Sequence, residues 1–263
     1  MANVREDIKI PQTVKLPILT YHSIDESGAV ISTAPEVFRR QMNFLGETGY
    51  NVVSLDKLLN SLIDEKPFSA KTVALTFDDG FQNFYTTAFP VLEQYGFKAT
   101  VFLVTDYCGK YNDWAGNPPD LPRSKVLAWN EIKELNKYGI EFGSHTRTHP
   151  DLTQISFDRA EGEMVESKAV IEDSLGCPVT TFAYPFGKYN QPVKKTAEKT
   201  FQAACSTNLG KVECKSDFFS LARIDTYYLS NLKIFNSMSS KTFDRYMQFR
   251  QVLRDFKATI RRS

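Results

Sequence analysis

Histidine is scarce in this chain of 263 residues, with only His22, His145 and His149. The four cysteines, Cys108, Cys177, Cys205 and Cys214, form no CxxC pair, which argues against a zinc ribbon or a thioredoxin-like redox centre. They read as reduced thiols in or near the core, with a Cys205–Cys214 bridge as the alternative were the protein exported. There is no surplus of charge: 32 basic residues face 31 acidic ones, so no global field favours nucleic acid, and no nucleic-acid partner is expected. Long apolar runs are missing too. The opening MANVREDIKIPQTVK is charged throughout, and no later stretch has the length of a membrane span, so the expectation is a soluble, cytoplasmic chain without a secretory leader. Internal repeats and low-complexity tracts are absent. So are the DxDxT pattern and a glycine-rich phosphate cradle, which disfavours a phosphatase.

What the chain has is enough apolar material for a large core, at 42% hydrophobic and 13% aromatic residues, and a regular alternation of patterns. The runs LPILTY, NVVSL, KTVALTF, KATVFLVT, IEFGSHT, VTTFAYP, QAACST and FFSLARI read as short strands. Between them, 3.6-residue periodicity predicts helices over 35–47, from 55, over 85–95, 131–138, 157–175 and 193–199. That order predicts a single α/β domain, a barrel of about seven parallel strands spanning residues 16–235, preceded by an extension over 1–15. The longest irregular stretch, GKYNDWAGNPPDLPRSK, follows a strand, which in such a barrel puts it on the face where active sites are built.

Residues 236–263 are read as a C-terminal helix. Phe243, Tyr246, Met247, Phe249, Leu253, Phe256 and Ile260 recur at helical spacing, among seven basic and two acidic residues over 241–262. Such a helix can lie on a membrane surface or an acidic partner, but packing of its apolar stripe on the barrel is the favoured reading.

The chemistry concentrates where apolar runs end in polar residues. LTFDDG drives a strand into two adjacent carboxylates, Asp78 and Asp79, an arrangement that is costly unless a cation or a proton is shared. FGSHTRTHPDL carries His145 and His149 on a strand end and loop, and Thr146 after the first histidine separates it from the helical HExxH of metalloproteases. Two imidazoles and one carboxylate suit a divalent cation and leave coordination positions open, while a second carboxylate beside them can accept a proton. One aspartate is expected to hold a metal and the other to work beside it.

With LTFDDG at 75–80, SHTRTHPDL at 144–152 and FAYPFG at 182–187, the chain resembles the NodB-homology polysaccharide deacetylases of carbohydrate esterase family four, over roughly residues 16–235. The resemblance implies an irregular βα barrel, Asp78 as catalytic base, and Asp79, His145 and His149 as metal ligands. It also implies a backbone N–H of Phe186 at the oxyanion. Two positions depart from the family pattern: Ala183 stands where an arginine orients the base, and no histidine follows His149. TYHSI at 20–24 is similar to a Tyr-His motif of the poly-N-acetylglucosamine deacetylases, which makes His22 the candidate general acid. Arg223 in LARID is the candidate replacement for the missing arginine. Tyr184, Pro185, Asp113 and Trp114 are candidate substrate contacts, and Trp129 is either a sugar platform or core.

The expected function is metal-dependent removal of N-acetyl groups from sugar units of a polysaccharide or oligosaccharide. Zinc is the first choice of metal, with cobalt or nickel as alternatives. Hydrolysis of another small amide or imide, and sugar binding without turnover, are the competing readings.

Overall fold

A computed structural model describes residues 15–64, 69, 71–118 and 120–260, the last four by backbone alone. Most of the N-terminal extension expected over 1–15 therefore lies outside the described residues, as do Arg261 and Arg262 of the basic C-terminal segment.

The strands are β1 Ile18–Tyr21, β2 Ser23–Ile24, β3 Ser32–Thr33, β4 Asn51–Val53, β5 Thr72–Phe77, β6 Thr100–Leu103, β7 Glu141–Ser144, β8 Thr181–Ala183, β9 Ala203–Leu209 and β10 Leu221–Asp225. The helices are α1 Pro35–Glu47, α2 Leu55–Ile63, α3 Phe89–Gln94, α4 Trp129–Lys137, α5 Phe157–Leu175, α6 Gln191–Thr200, α7 Leu232–Asn236 and α8 Lys241–Ile260. Seven parallel strands close into a ring in the order β1-β10-β9-β8-β7-β6-β5, with β1 pairing back onto β5. The run NVVSL forms a strand, β4, that stays outside this ring. Ala74 pairs with both β1 and β4, and Thr76 with both β1 and β6, so β4 and β6 share one edge of β5, β4 along its first half and β6 along its second.

Strand periodicity divides the core. Leu19, Tyr21, Leu75 and Phe77 face the surrounding helices and join the larger apolar cluster. Ile18, Ala74, Phe102, Ala183, Cys205 and Leu221 belong to a second cluster that fills the ring. Small side chains at Ala74, Ala183, Ala203 and Cys205 leave volume in that cluster for the ring of Phe102, over which the Arg223 guanidinium sits at 5.7 Å. Every residue of β5 is buried, as expected of a strand covered on both faces.

The helices begin and end where local chemistry allows. Pro35 opens α1, Ser54 caps α2 by accepting from the Lys57 N–H, Ser156 caps α5 by accepting from the Arg159 N–H, and Gly176 closes α5 at φ 69°. The helix expected over 85–95 divides: Phe84–Ala88 is a π-turn, in which the Phe89 N–H reaches the Phe84 carbonyl, and α3 starts only at Phe89. Pro90, in the first turn of α3, has no N–H to continue the earlier ladder, which accounts for the break.

Helix α8 packs on β9 through buried Phe243 and Met247. Gln251 accepts from the Leu209 N–H at 2.8 Å, and Arg254 donates to the Thr207 carbonyl at 2.7 Å. The full apolar stripe does not pack as expected. Phe249, Leu253 and Phe256 stay exposed because the inward face is completed by Gln251, Arg254 and Arg250, which stacks over Tyr228. Among the described residues no helix is long and apolar enough to cross a membrane, and all four cysteines are free.

At the opposite end of the barrel from the strand C-termini, Glu141 accepts from the Asp56 N–H and the Thr100 hydroxyl, and Thr180 donates to Asp56. Burial, then the charge of Asp56, pushes the Glu141 carboxyl above its ordinary value. An acid raised by folding contributes stability below its unfolded pKa and loses it as pH climbs through the folded one. Glu141→Gln is therefore expected to be more stable than wild type at pH 7, with the advantage shrinking as pH falls toward the unfolded glutamate value of about 4.3, read by urea denaturation at several pH values.

Candidate active site

The strand C-termini surround a cavity of about 430 Å³ whose floor holds Asp78, Asp79, His22, His145 and His149. Register explains the convergence. Tyr21 pairs with Phe77, and the Asp78 N–H donates to the Tyr21 carbonyl at 3.0 Å, so His22 and Asp78 leave neighbouring strands at one level. Asp78 continues the inward row Ala74, Thr76 of β5, and Arg223 follows Leu221 in the inward row of β10.

Arg223, 2% exposed, makes a bidentate pair with Asp78, with Nη1 to Oδ1 and Nη2 to Oδ2 both at 2.7 Å. Its Nε–H donates to the Ser206 carbonyl at 3.0 Å. Burial works to raise the Asp78 pKa, but the Arg223 charge and its hydrogen bonds outweigh it and hold the carboxyl well below the usual carboxylate range. His22 Nε2 lies 3.9 Å from Asp78 Oδ2, with its side chain 22% exposed toward the cavity.

Asp79, His145 and His149 present ligand atoms within 4.8 Å of one another, all buried. Asp79 Oδ1 lies 3.5 Å from His145 Nε2 and 3.4 Å from His149 Nε2. The His145 Nδ1–H donates to the Ala183 carbonyl at 2.7 Å, which leaves the Nε2 lone pair turned to the cluster. Among the described residues, Asp79 Oδ1 and His149 Nδ1 are buried and have no hydrogen-bond partner. An orphaned carboxylate oxygen between two imidazole nitrogens fits a divalent cation, and the donor set of one oxygen and two nitrogens suits zinc or a neighbouring first-row metal. Burial, reinforced by nearby His145 against the opposing pull of Asp79, pushes the His149 imidazole down to about 3, which keeps it neutral as a ligand must be.

Backbone strain collects at the same place. Asp79, Thr146, His149 and Phe186 are the non-glycine residues with positive φ among those described, at 70°, 70°, 58° and 57°. Next to Phe186, Gly187 at φ 67° leaves no room for a side chain, since a Cβ there would lie 2.1 Å from the Thr207 hydroxyl. The turn presents the Phe186 ring, 39% exposed, at the cavity edge, 4.7 Å from the His149 ring.

Not every expected contact reaches the cavity. Tyr184 forms part of the wall, but its hydroxyl donates to the Phe219 carbonyl. Pro185 is buried and outside the lining. Asp113 is exposed and lies away from the cavity, because Arg123 holds its carboxylate through Nε and Nη2. Trp114 is 3% exposed and packs behind His149 at 5.1 Å, so it supports the histidine and does not face the cavity. Trp129 starts α4 and packs against the larger core cluster.

The cavity also takes residues the sequence reading missed. Val30 and Ile31 line one side, and Pro118 and Leu121 of the proline-rich loop another. Lys188 donates to Asp151 at 2.7 Å across the rim. Lys188 directly follows the FAYPFG run and Asp151 lies within SHTRTHPDL, so motif position was the available signal for them. Leu121 lies in the irregular stretch expected on the active-site face, but nothing in sequence marked Val30.

A family model described as polysaccharide deacetylase matches residues 65–203. The chain is 31% identical over 242 residues to YxkH of Bacillus subtilis, a protein named for the same family, covering 92% of this chain and 79% of that one. It is 28% identical over 141 residues to the poly-β-1,6-N-acetyl-D-glucosamine N-deacetylase of Escherichia coli, a match that spans 49% of this chain and only 20% of that enzyme. Among solved structures, the Streptococcus pyogenes deacetylase PplD in complex with acetate superposes with a TM-score of 0.72 at 30% identity, covering 81% of this chain and 93% of that one. The chain belongs to the polysaccharide deacetylase family.

Proposed function

We propose that this deacetylase removes N-acetyl groups from a glycan of the poly-N-acetylglucosamine type. In this reading Asp78 is the base, His22 the acid, and Asp79, His145 and His149 hold a divalent cation, zinc first, with cobalt or nickel as alternatives. The observation that carries it is the meeting of the Arg223–Asp78 pair, His22 and the ligand cluster on one cavity floor. The substrate class rests on the activity named for the Escherichia coli relative and on the Tyr-His run at 21–22.

A cation bound at the cluster supplies Lewis acidity toward water and the acetyl carbonyl. Asp78, kept ionised and fixed in direction by Arg223, accepts a proton from the attacking water, whose oxygen bonds to the acyl carbon. The Phe186 N–H is the candidate donor to the oxygen that becomes negative. His22 then gives its proton to the nitrogen as the C–N bond breaks, releasing acetate and a free amine. The apolar walls of Val30, Ile31, Leu121 and Phe186 lower the local dielectric and strengthen each of these interactions. The bidentate Arg223–Asp78 pair supports giving Arg223 the orienting role that Ala183 leaves open, which favours the catalytic reading over sugar binding without turnover.

Acetate release from poly-β-1,6-N-acetylglucosamine oligomers tests the reading. Chelation is expected to abolish release and zinc or cobalt to restore it; undiminished release by demonstrably metal-free protein would sink it.

His22→Ala should slow amide cleavage by about 10²- to 10⁴-fold, the usual worth of general acid catalysis, while an aryl acetate, whose phenolate leaves without protonation, is hydrolysed nearly as by wild type. Equal losses on both substrates remove His22 from the role.

Arg223→Met leaves the Asp78 carboxylate buried without its partner and is expected to cost about 3–5 kcal/mol of stability in denaturant titrations. Arg223→Met combined with Asp78→Leu should regain much of that loss, since the double variant strands no charge.

A further inference from the structure

The segment joining His145 to His149 is three residues long and is held in an unfavourable shape. Thr146 at φ 70° and His149 at φ 58° both stand in the left-handed region, and Thr146 is β-branched. The Thr146 hydroxyl accepts from the His149 N–H at 2.9 Å, closing the turn from within. From outside, one side chain grips it. Oε2 of Glu163, on the inward face of α5, accepts from the Arg147 N–H at 2.9 Å and the Thr148 N–H at 2.8 Å, and its Oε1 accepts from the Thr148 hydroxyl at 2.5 Å.

Glu163 is 7% exposed, and its partners among the described residues are these three donors. The Arg147 guanidinium turns away from it, to Asp106 and Glu166. A buried carboxylate is costly to keep without a counter-ion, and helix packing alone does not require one at this position. Its hydrogen bonds all converge on the backbone and side chain of the two residues that separate Thr146 from His149. Hydrogen bonds are directional, and three of them converging from one side chain select the strained loop over relaxed alternatives.

We propose that Glu163 is the positioning residue that holds His149 in its ligating conformation. The proposal rests on the metal reading of Asp79, His145 and His149. Glu163 acts through the loop backbone and touches neither the cation nor the substrate. Its removal lets Thr146 and His149 relax toward ordinary backbone angles, which swings the His149 imidazole away from Asp79. The effect is geometric, so it depends on where the acceptor oxygen sits and not on its charge. Glutamine meets that requirement: its single oxygen can take both N–H groups that now share Oε2, and its amide N–H can donate to the Thr148 hydroxyl. Aspartate keeps the charge but falls a methylene short of the loop.

The test is cobalt titration of chelator-stripped protein, followed by visible absorption, for wild type, Glu163→Gln, Glu163→Ala and Glu163→Asp, with thermal melting of each metal-free protein alongside. Glu163→Gln is expected within about threefold of wild-type affinity, whereas Glu163→Ala and Glu163→Asp lose about 10- to 100-fold, the usual cost of removing an outer-shell partner, with an altered cobalt spectrum. Should Glu163→Ala fail to fold, Glu163→Asp carries the comparison. Wild-type cobalt affinity and spectrum in the folded Ala or Asp variants, or a loss in Glu163→Gln as deep as in Glu163→Ala, overturns the proposal. Wild-type protein that takes up no cobalt overturns the metal reading itself, and this inference with it.

Discussion

The Arg223–Asp78 pair is the constraint around which the site is arranged. A guanidinium and a carboxylate, both sealed inside the barrel, are tolerable only in near-ideal geometry with the remaining donors satisfied, and the two 2.7 Å bonds with the Nε–H on Ser206 meet that demand. The pair links β10 to the end of β5 across β1, the strand that pairs with both and ends beside His22. Three neighbouring strands therefore deliver the cation, the imidazole and the carboxylate to one place. Small residues inside the ring make the room, and parallel register sets the level.

The cluster of Asp79, His145 and His149 depends on a different kind of support. Its aspartate and its second histidine, with Thr146 and Phe186, adopt backbone angles that each cost on the order of 1–3 kcal/mol, so the surrounding structure must over-determine them. Leu103 fixes the His145 backbone, the Ala183 carbonyl fixes its ring, and α5 fixes the loop beyond it. The π-turn after Gly80 belongs to the same region, where a regular helix gives way next to the aspartates.

Above this polar floor the walls are apolar, supplied by the lobe around Val30 and Ile31, the proline-rich loop and the Phe186 ring. A charged floor under apolar walls lets binding of a sugar displace water while leaving the reacting amide among oriented dipoles. The outer surface of α8 has a different character. Phe249, Val252, Leu253 and Phe256 stand exposed on the side of the helix away from β9, and they take no part in the site.

The sequence by itself determined the α/β alternation, the ring of about seven strands, and which residues are the candidates for the chemistry. Strand periodicity and motif adjacency are local properties, so Asp78, Asp79, His145 and His149 were legible as candidates; His22 was legible through its strand-end position and the Tyr-His resemblance, and Arg223 only through the arginine that the resemblance left missing. The tertiary structure decided what depends on distance between segments far apart in the chain. It turned Asp113 outward to Arg123, put Trp114 behind His149 instead of in the cavity, left β4 outside the ring, and divided α8 into a packed and an exposed face. It also brought Glu163 onto the histidine loop, a contact between a mid-helix residue and a strand-end turn that no local pattern encodes. Spacing along a chain fixes which face a side chain takes, but which partner meets it there is fixed only when the barrel closes.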